Sequence, residues 1–416
     1  MRNLYKKIVI FILLPLVLNA STLKEIMQTT LKNNVNIKSM NYDIDSKNET
    51  LKSVSNTLNP TINIGANYTK LDFDVRSSQV GATTMGYIKF GVDLYDGGKN
   101  SSIKKQKAHE LQSTRLSTDA STKEILLQVV TLFYQIKTIE ENILAYQDKS
   151  KSLFAEYKRE KQKYDIQMVT IDEVYKLQSE YESNKYIIED LKYQRYYLYQ
   201  NLSLLVGKKI TSVSDSKLPE VMNLKYKQST SIESLKSSID AINENINQIT
   251  AIKKPKIKLE DSINIYNYND YDEGILRDLP DQQNQLMLSF SLNLYDSSSS
   301  NKKQSAILAK MAKKEQLNYA ISKEKIAFNL ATKKLTTQKT KIDSVKSALD
   351  MAVSVYDIIL TKYQNGVVDN ITYLDALSKK TINQSLYIQA LNNYEIAKAN
   401  YYFSSGVSYK KMMENL

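Results

Sequence analysis

The chain has 416 residues, with 57 Lys and Arg against 45 Asp and Glu, for a formal net charge of +12. It has no Cys and a single His, which excludes disulfides, thiol catalysis, thiolate zinc sites and a lipid-modified N-terminal cysteine. Only 10 Gly and 5 Pro interrupt it, favouring long helices over a loop-rich fold. The lysines are interleaved with Glu and Asp, the pattern of a solvated helical surface; no nucleic-acid partner is expected. A Ser-His-Asp set would have to use His109, which sits among Lys104, Lys105 and Lys107. Gly97-Gly98-Lys99 lacks the spacing of a phosphate loop. No catalysis, metal or cofactor is expected, so any work of transport must be driven by a partner.

At the N-terminus, Arg2, Lys6 and Lys7 precede an apolar run from Ile8 to Leu18 and then Asn19-Ala20-Ser21. This reads as a secretory signal over 1–20, too short an apolar run to span a bilayer comfortably. No other segment resembles a transmembrane helix, so a membrane span would have to use strands. An opening helix over about 22–57 stops before Asn59-Pro60, because a residue preceding proline disfavours helix. Two strands follow, over about 61–71 and 85–95. Ile62, Ile64, Ala66 and Tyr68 share one face, as do Ile88, Phe90, Val92 and Leu94, with polar residues and glycines alternating. From Gly98 to Tyr164 there is no proline, and one helix of 67 residues is roughly 100 Å long. Its seam runs Ile125, Val129, Leu132, Ile136, Ile139, Ile143, Tyr146, Ser150, Leu153, Tyr157, Glu160, Tyr164 in alternating steps of four and three, with Ser150 and Glu160 the exceptions to apolarity. After a turn at 165–169, a partner helix carries Val174, Leu177, Tyr181, Asn184, Ile188, Leu191, Arg195, Leu198, Leu202 and Leu205 at the same rhythm. The lengths suggest that the opening and closing helices stack end to end beside the long one.

A polar segment over 208–229, containing Pro219, leads into the same order again. A helix over about 230–253 stops before Pro255, strands follow over about 256–267 and 284–295, and a helical hairpin covers about 297–405. Ile257, Leu259, Ile263 and Ile265 share a face with Asp261 as the exception; Leu286, Leu288, Phe290, Leu292 and Leu294 share another. The long helix keeps its seam from Phe328 through Leu335, Ile342 and Leu349 to Tyr363, and its partner alternates Tyr373, Ala376, Tyr387, Ala390, Tyr394, Ala397 and Tyr401. Leu94-Tyr95-Asp96 recurs as Leu294-Tyr295-Asp296 at an offset of 200, Tyr164 as Tyr363 and Gly207 as Gly406 at 199, and Pro60 as Pro255 at 195. The chain therefore reads as a duplicated strand-strand-helix-helix unit, with repeats at 21–207 and 230–406, a linker at 208–229 and a tail at 407–416.

Four amphipathic strands cannot close a membrane barrel, for which about eight is the practical minimum. An open edge in lipid leaves backbone groups unpaired at several kcal/mol each. A membrane reading thus requires several chains to share one barrel, with 72–84 and 269–284 as outer loops. Tyr68, Phe73, Tyr87, Tyr95, Tyr266, Tyr268, Tyr271 and Tyr295, near the strand ends, are then candidates for interfacial belts.

Asn59-Pro60, Leu94-Tyr95-Asp96-Gly97-Gly98-Lys99, Lys362-Tyr363-Gln364-Asn365-Gly366-Val367, Tyr373-Leu374-Asp375-Ala376 and the closing Gly406 together resemble the TolC-type outer-membrane efflux proteins, over nearly the whole chain. That resemblance implies a mainly helical fold with a β-barrel portion, in which coiled-coil helices form an α-barrel tunnel. It implies a homotrimer in the outer membrane of a Gram-negative bacterium, giving four strands per chain to a twelve-stranded barrel in contact with outer-membrane lipid. It further implies a passive exit duct for a tripartite efflux pump or a type I secretion system, working with a periplasmic adaptor and an inner-membrane pump or ABC transporter. The turns holding Tyr164, Gln167, Met168 and Val169, and Tyr363, Gly366, Val367 and Val368, are the implied periplasmic tips that meet the adaptor. Asp375 and Glu173 match gate positions. Thr372 stands where many members have another acid, Val368 where some have a basic residue, Gln167 where glycine is usual, and Ser297 to Ser300 replace a Gly-Gly turn. The alternatives are a periplasmic adaptor or a coiled-coil interaction protein without a pore; neither accounts for four amphipathic strands in a duplicated unit.

Overall fold

The computed structural model describes residues 20–55, 58, 60–71, 80–220, 223–271 and 274–414. The expected leader, save Ala20, lies outside the described residues, as do Asn59 and Phe73. The elements follow the order α1 (Leu23–Asn33), α2 (Val35–Ser53), β1 (Thr61–Lys70), β2 (Ala82–Tyr95), α3 (Lys99–Asp165), α4 (Ile171–Val206), α5 (Thr230–Ala251), β3 (Lys256–Asn269), β4 (Gln282–Ser291), α6 (Ser297–Gln364), α7 (Asn370–Ser404) and α8 (Tyr409–Glu414). The fold is mainly helical, with one antiparallel sheet. Among the described residues, a helical unit holds those up to Lys38, within Ser121–Ser229 and from Glu324 on, and a sheet-bearing unit holds those within Ser39–Ala120 and Thr230–Lys323.

Why each long helix starts where it does is visible in the duplicated Leu-Tyr-Asp motif. The Asp96 carboxylate accepts from the backbone of Gly98 at 3.0 Å and of Asn100 at 2.6 Å. Asp296 accepts from Ser298 at 2.9 Å and Ser299 at 3.3 Å. Each Asp satisfies amides that an α-helix leaves unpaired at its first turn. The serines after Asp296 thus support the same cap as the glycines after Asp96.

The sheet order is β1-β2-β3-β4, antiparallel throughout. Directly paired residues project to the same side. Ile62 pairs with Phe90, Ile64 with Ile88, Ile88 with Ile263, and Leu259 with both Val92 and Leu288, so the four apolar stripes merge into one face. That face is solvent-exposed in a single chain, Ile64 at 78% and Leu286 at 71%. Asp261 interrupts it, paired with Phe90 and Leu286. The opposite face carries Thr61, Asn63, Tyr87, Lys89, Ser262, Asn264 and Gln285. Tyr87, Tyr266 and Tyr268 belong to this polar side, and Tyr87 lies across Gly65. β4 ends at Ser291, short of 295, because its partner β3 begins at Lys256, opposite Ser291 and directly after Pro255. Beyond that pair no ladder remains to hold Leu292 or Leu294 extended.

The core of the helical unit gathers Leu23, Ile26 and Met27 of α1, Leu126, Val129, Val130, Phe133, Tyr134 and Ile136 of α3, Tyr199, Leu202 and Val206 of α4, and Ala399 and Tyr402 of α7. Each fully buried aliphatic or aromatic side chain there contributes roughly 1.5–3 kcal/mol. Residues 208–229 are not a free polar connector: Ile210, Val213 and Leu218 are in this core, and the buried Lys398 donates to the Leu218 carbonyl at 2.7 Å. The tail likewise folds, as α8, and packs Tyr409 and Met412.

The opening helix is broken where one helix was expected. Asn34 ends α1 and starts α2, its Oδ1 accepting from the Ile37 amide at 2.9 Å and its Nδ2 donating to the Leu205 carbonyl at 2.6 Å. The end of α4 thus abuts the break. Gly207, with φ +71°, closes α4 so tightly against Asn33 that a Cβ would lie 2.5 Å from the Asn33 carbonyl oxygen. Gly406, with φ +78°, does the same after α7, where a Cβ would collide with the Lys227 carbonyl. The duplicated glycines are therefore duplicated joints between a closing helix and the chain entering the opening one. No Cβ-bearing residue fits them without backbone movement.

Candidate functional site

Both hairpin turns are built by the same backbone device. In the first, Gln167 donates to Tyr164 O at 2.8 Å and Met168 to Lys163 O at 2.8 Å; in the second, Gly366 donates to Tyr363 O at 3.1 Å and Val367 to Lys362 O at 2.9 Å. These bonds satisfy the last helical carbonyls through a left-handed residue. That residue has φ +72° at Gly366 and φ +58° at Gln167. A side chain in this region costs roughly 1–2 kcal/mol, so Gln167 is held there by the packed hairpin.

The side chains around the turns diverge. Tyr164 is 41% exposed, whereas Tyr363 is 5% exposed. The Tyr363 ring stacks on Tyr373 at 4.8 Å, Tyr373 tilts against Tyr356 at 6.2 Å, and Leu153, Leu177, Ala376 and Leu377 complete the cluster. The Tyr363 hydroxyl donates to Glu160 Oε1 at 3.1 Å, and Lys163 reaches the same oxygen at 2.7 Å. Arg159 lies 4.8 Å above the Tyr363 ring and pairs with Glu156 at 2.6 Å. Burial pushes the Tyr363 hydroxyl well above its ordinary range, and the Glu160 charge adds to that. Burial also raises Glu156, against the opposing pull of Arg159. Tyr363 therefore joins the two hairpins and is not part of the surface they offer outward, unlike Met168 and Val367, which are well exposed. Val169 and Val368 are half-buried, Val368 against the tyrosine cluster.

The expected acids lie just past the turns. Asp375 pairs with Lys379 at 2.7 Å, both side chains more than half exposed. Glu173 pairs with Lys176 at 3.1 Å, and its carbonyl accepts from the buried Asn370 at 3.2 Å. Thr372 is committed to the helix start: its amide and hydroxyl donate to Asp369 at 2.9 and 2.6 Å. The hydroxyl bond in particular holds the Asp369 carboxyl below the usual carboxylate range. In the first hairpin, the cap residue Thr170 makes no side-chain bond to the helix amides. Asp172, Tyr175, Lys176, Ile371, Leu374, Asp375 and Ser378 line an open groove of about 720 Å³ between α4 and α7.

Glu160, Glu156 and Arg159 were not singled out by motif. Glu160 had a signal in the seam, where it stands at a position that the rhythm assigns to an apolar residue; Glu156 and Arg159 lie off the seam.

Comparison with known proteins gives three findings. Residues 26–208 match the family model described as outer membrane efflux protein. No curated protein sequence matches the chain. Among solved structures, the outer membrane protein VceC of Vibrio cholerae aligns with a TM-score of 0.81 at 13% identity, covering 93% of this chain and 96% of that one. The Campylobacter jejuni CmeC outer membrane channel aligns with a TM-score of 0.81 at 15% identity, covering 95% and 89%. The open state of the Neisseria gonorrhoeae MtrE outer membrane channel aligns with a TM-score of 0.77 at 16% identity, covering 93% and 89%. At such identities these likenesses establish the fold. The family match covers most of the first repeat, and the fold likeness spans nearly the whole chain. Among the described residues no helix is long and apolar enough to cross a membrane, which says nothing of a shared β-barrel.

Proposed function

We propose that this chain is one subunit of a homotrimeric outer-membrane channel, the passive exit duct of a tripartite efflux pump or a type I secretion system. The observation that carries the reading is the sheet: an exposed apolar face, an opposite polar face, and β1 and β4 left, among the described residues, as unpaired edges. In lipid those edges demand partners, and further copies of the chain supply them. Three copies give twelve strands, polar side inward around an aqueous lumen and apolar side toward outer-membrane lipid.

The helices support the same reading. The α6 seam from Phe328 to Tyr363 is half-buried to buried, yet Leu330, Met351, Val355 and Ile358 form a second apolar stripe on the other side of the same stretch and are exposed. A helix with apolar residues on two opposite sides needs two neighbours. A neighbouring copy covers the second stripe.

At the tips, Met168, Gln167, Val169 and Tyr164 of one hairpin, with Gly366, Val367 and Val368 of the other, face a periplasmic adaptor coupled to an inner-membrane pump or ABC transporter. Asp375, Glu173 and Thr372 are the gate positions. Asp375 and Glu173 are each balanced by a lysine one turn away, and Thr372 is neutral, so the resulting ring attracts cations less than unpaired carboxylates would. The test is membrane fractionation, native mass in mild detergent and bilayer conductance. A trimer from the outer membrane that conducts ions supports the proposal. A monomer held at the inner membrane would instead favour an adaptor.

A further inference from the structure

The polar face of the sheet is not uniform. Its charged residues lie together at the end where β3 begins: Lys256, Lys258 and Glu260 on β3, with Lys89 and Asp93 on β2. Farther along, the same face carries Asn63, Ser262, Gln285, Tyr87, Asn264, Gln283, Asn67 and Tyr266, all uncharged. Lys258 and Lys89 converge on one carboxylate oxygen, Glu260 Oε1, at 2.7 and 3.0 Å. Lys256 is balanced by Asp93 at 3.3 Å. Gly91, paired with Glu260, leaves room for this triad: the nearest atoms to a Cβ there would include Lys258 Cε at 3.7 Å and Glu260 Oε1 at 3.9 Å.

Two ammonium groups share one carboxylate, so the triad keeps one excess positive charge per chain. Glu260 is mostly covered, whereas Lys89 and Lys258 remain about two-fifths exposed. The carboxylate thus positions two donors that still have hydrogens to offer. A carboxylate or phosphate group on a passing solute would meet both.

We infer that Lys89, Glu260 and Lys258 form an anion-attracting belt inside the barrel, a selectivity element separate from the hairpin tips. The inference rests on the proposed shared barrel with its polar face inward. In that barrel the belt recurs once per subunit around one level of the lumen, where low-dielectric walls focus its field.

Because the chain contains no Cys, each introduced thiol is unique. Asn63 pairs with Lys89 on the polar face, and Ile64 points to the apolar face. In intact outer membranes, Asn63→Cys is labelled with two water-soluble thiol reagents, one bearing a sulfonate and one a trimethylammonium group. The ratio of the two rate constants reads the local potential without depending on the state of the tips. In the Lys89→Gln/Lys258→Gln background the sulfonate-to-ammonium ratio is expected to fall roughly fivefold, and with Glu260→Gln to rise roughly twofold, from screened Coulomb attraction over a few ångströms. Lys89→Arg/Lys258→Arg keeps the ratio. A ratio unchanged by either charge-removing background overturns the belt while leaving the channel intact. If Ile64→Cys labels as fast as Asn63→Cys, or if Asn63→Cys does not label at all, the barrel reading itself fails.

Discussion

The two hairpin tips share one backbone and differ in what surrounds it. Both close through a left-handed residue three positions after a Lys-Tyr pair, with matching carbonyl bonds. Around the second turn, Tyr363 is buried, stacked and bonded to Glu160, and Asp369 caps α7. Around the first, Tyr164 points to solvent and Thr170 leaves the amides of α4 without a side-chain cap. Duplication preserved the turn, whose geometry is set by local bonds. It did not preserve the environment, because the cluster on Tyr363 is supplied by α3, α4 and α7 together.

Exchanging the tyrosines tests that contrast most strongly. Tyr363→Ala removes a buried, stacked ring and is expected to destabilise the helical unit by about 3–5 kcal/mol. Tyr164→Ala, at an exposed position, should change stability by about 0.5 kcal/mol or less. Equal shifts in unfolding midpoint for the two variants would refute the asymmetry. Glu160→Ala should come next, at about 2–3 kcal/mol, since it strips the acceptor from the Tyr363 hydroxyl and from Lys163 in a largely buried site. Protease sensitivity near 365 should rise with it, and a double substitution with Tyr363→Phe should be less than additive.

The backbone prediction is smaller and of opposite sign at the two turns. Gln167→Gly should stabilise by about 1 kcal/mol and Gly366→Ala destabilise by a similar amount, since only glycine occupies the left-handed region freely. Thermal midpoints of the paired variants check this. The smallest effect concerns pH. The Asp369 carboxyl is held below its unfolded value, so its contribution is present above the unfolded pKa and is lost as pH falls through the lowered one. Amide exchange at Thr372 should accelerate over that acidic range and should be nearly insensitive to it in Asp369→Asn.

Much of this architecture was legible from periodicity. The alternation of Ile62, Ile64 and Ala66 runs through β1, and the steps of four and three run through the later parts of α3 and α6, because helix and strand periods depend on short-range geometry. Glycine at 366 suits the left-handed conformation found there. Gln167 departs from that local rule, and the packed hairpin imposes its conformation. The break at Asn34 was not legible: an asparagine within a helical pattern is tolerated, and only the arrival of α4, with Leu205 accepting from its side chain, makes it a cap on both sides. The buried role of residues 208–229 escaped for a related reason, since Ile210, Val213 and Leu218 are too scattered to show a period. Asp375 and Glu173 were named from the family resemblance, and their lysine partners emerged only with the helix faces in view.

Sequence alone determined the duplicated order of elements, the amphipathic strands and the two long seams, because each repeats at a spacing dictated by backbone geometry. Tertiary structure decided which copies of a repeated residue are buried, where α1 ends, how far β4 extends and that two lysines meet on Glu260. Those outcomes depend on distant segments arriving at one place, and no local pattern encodes which segment that will be.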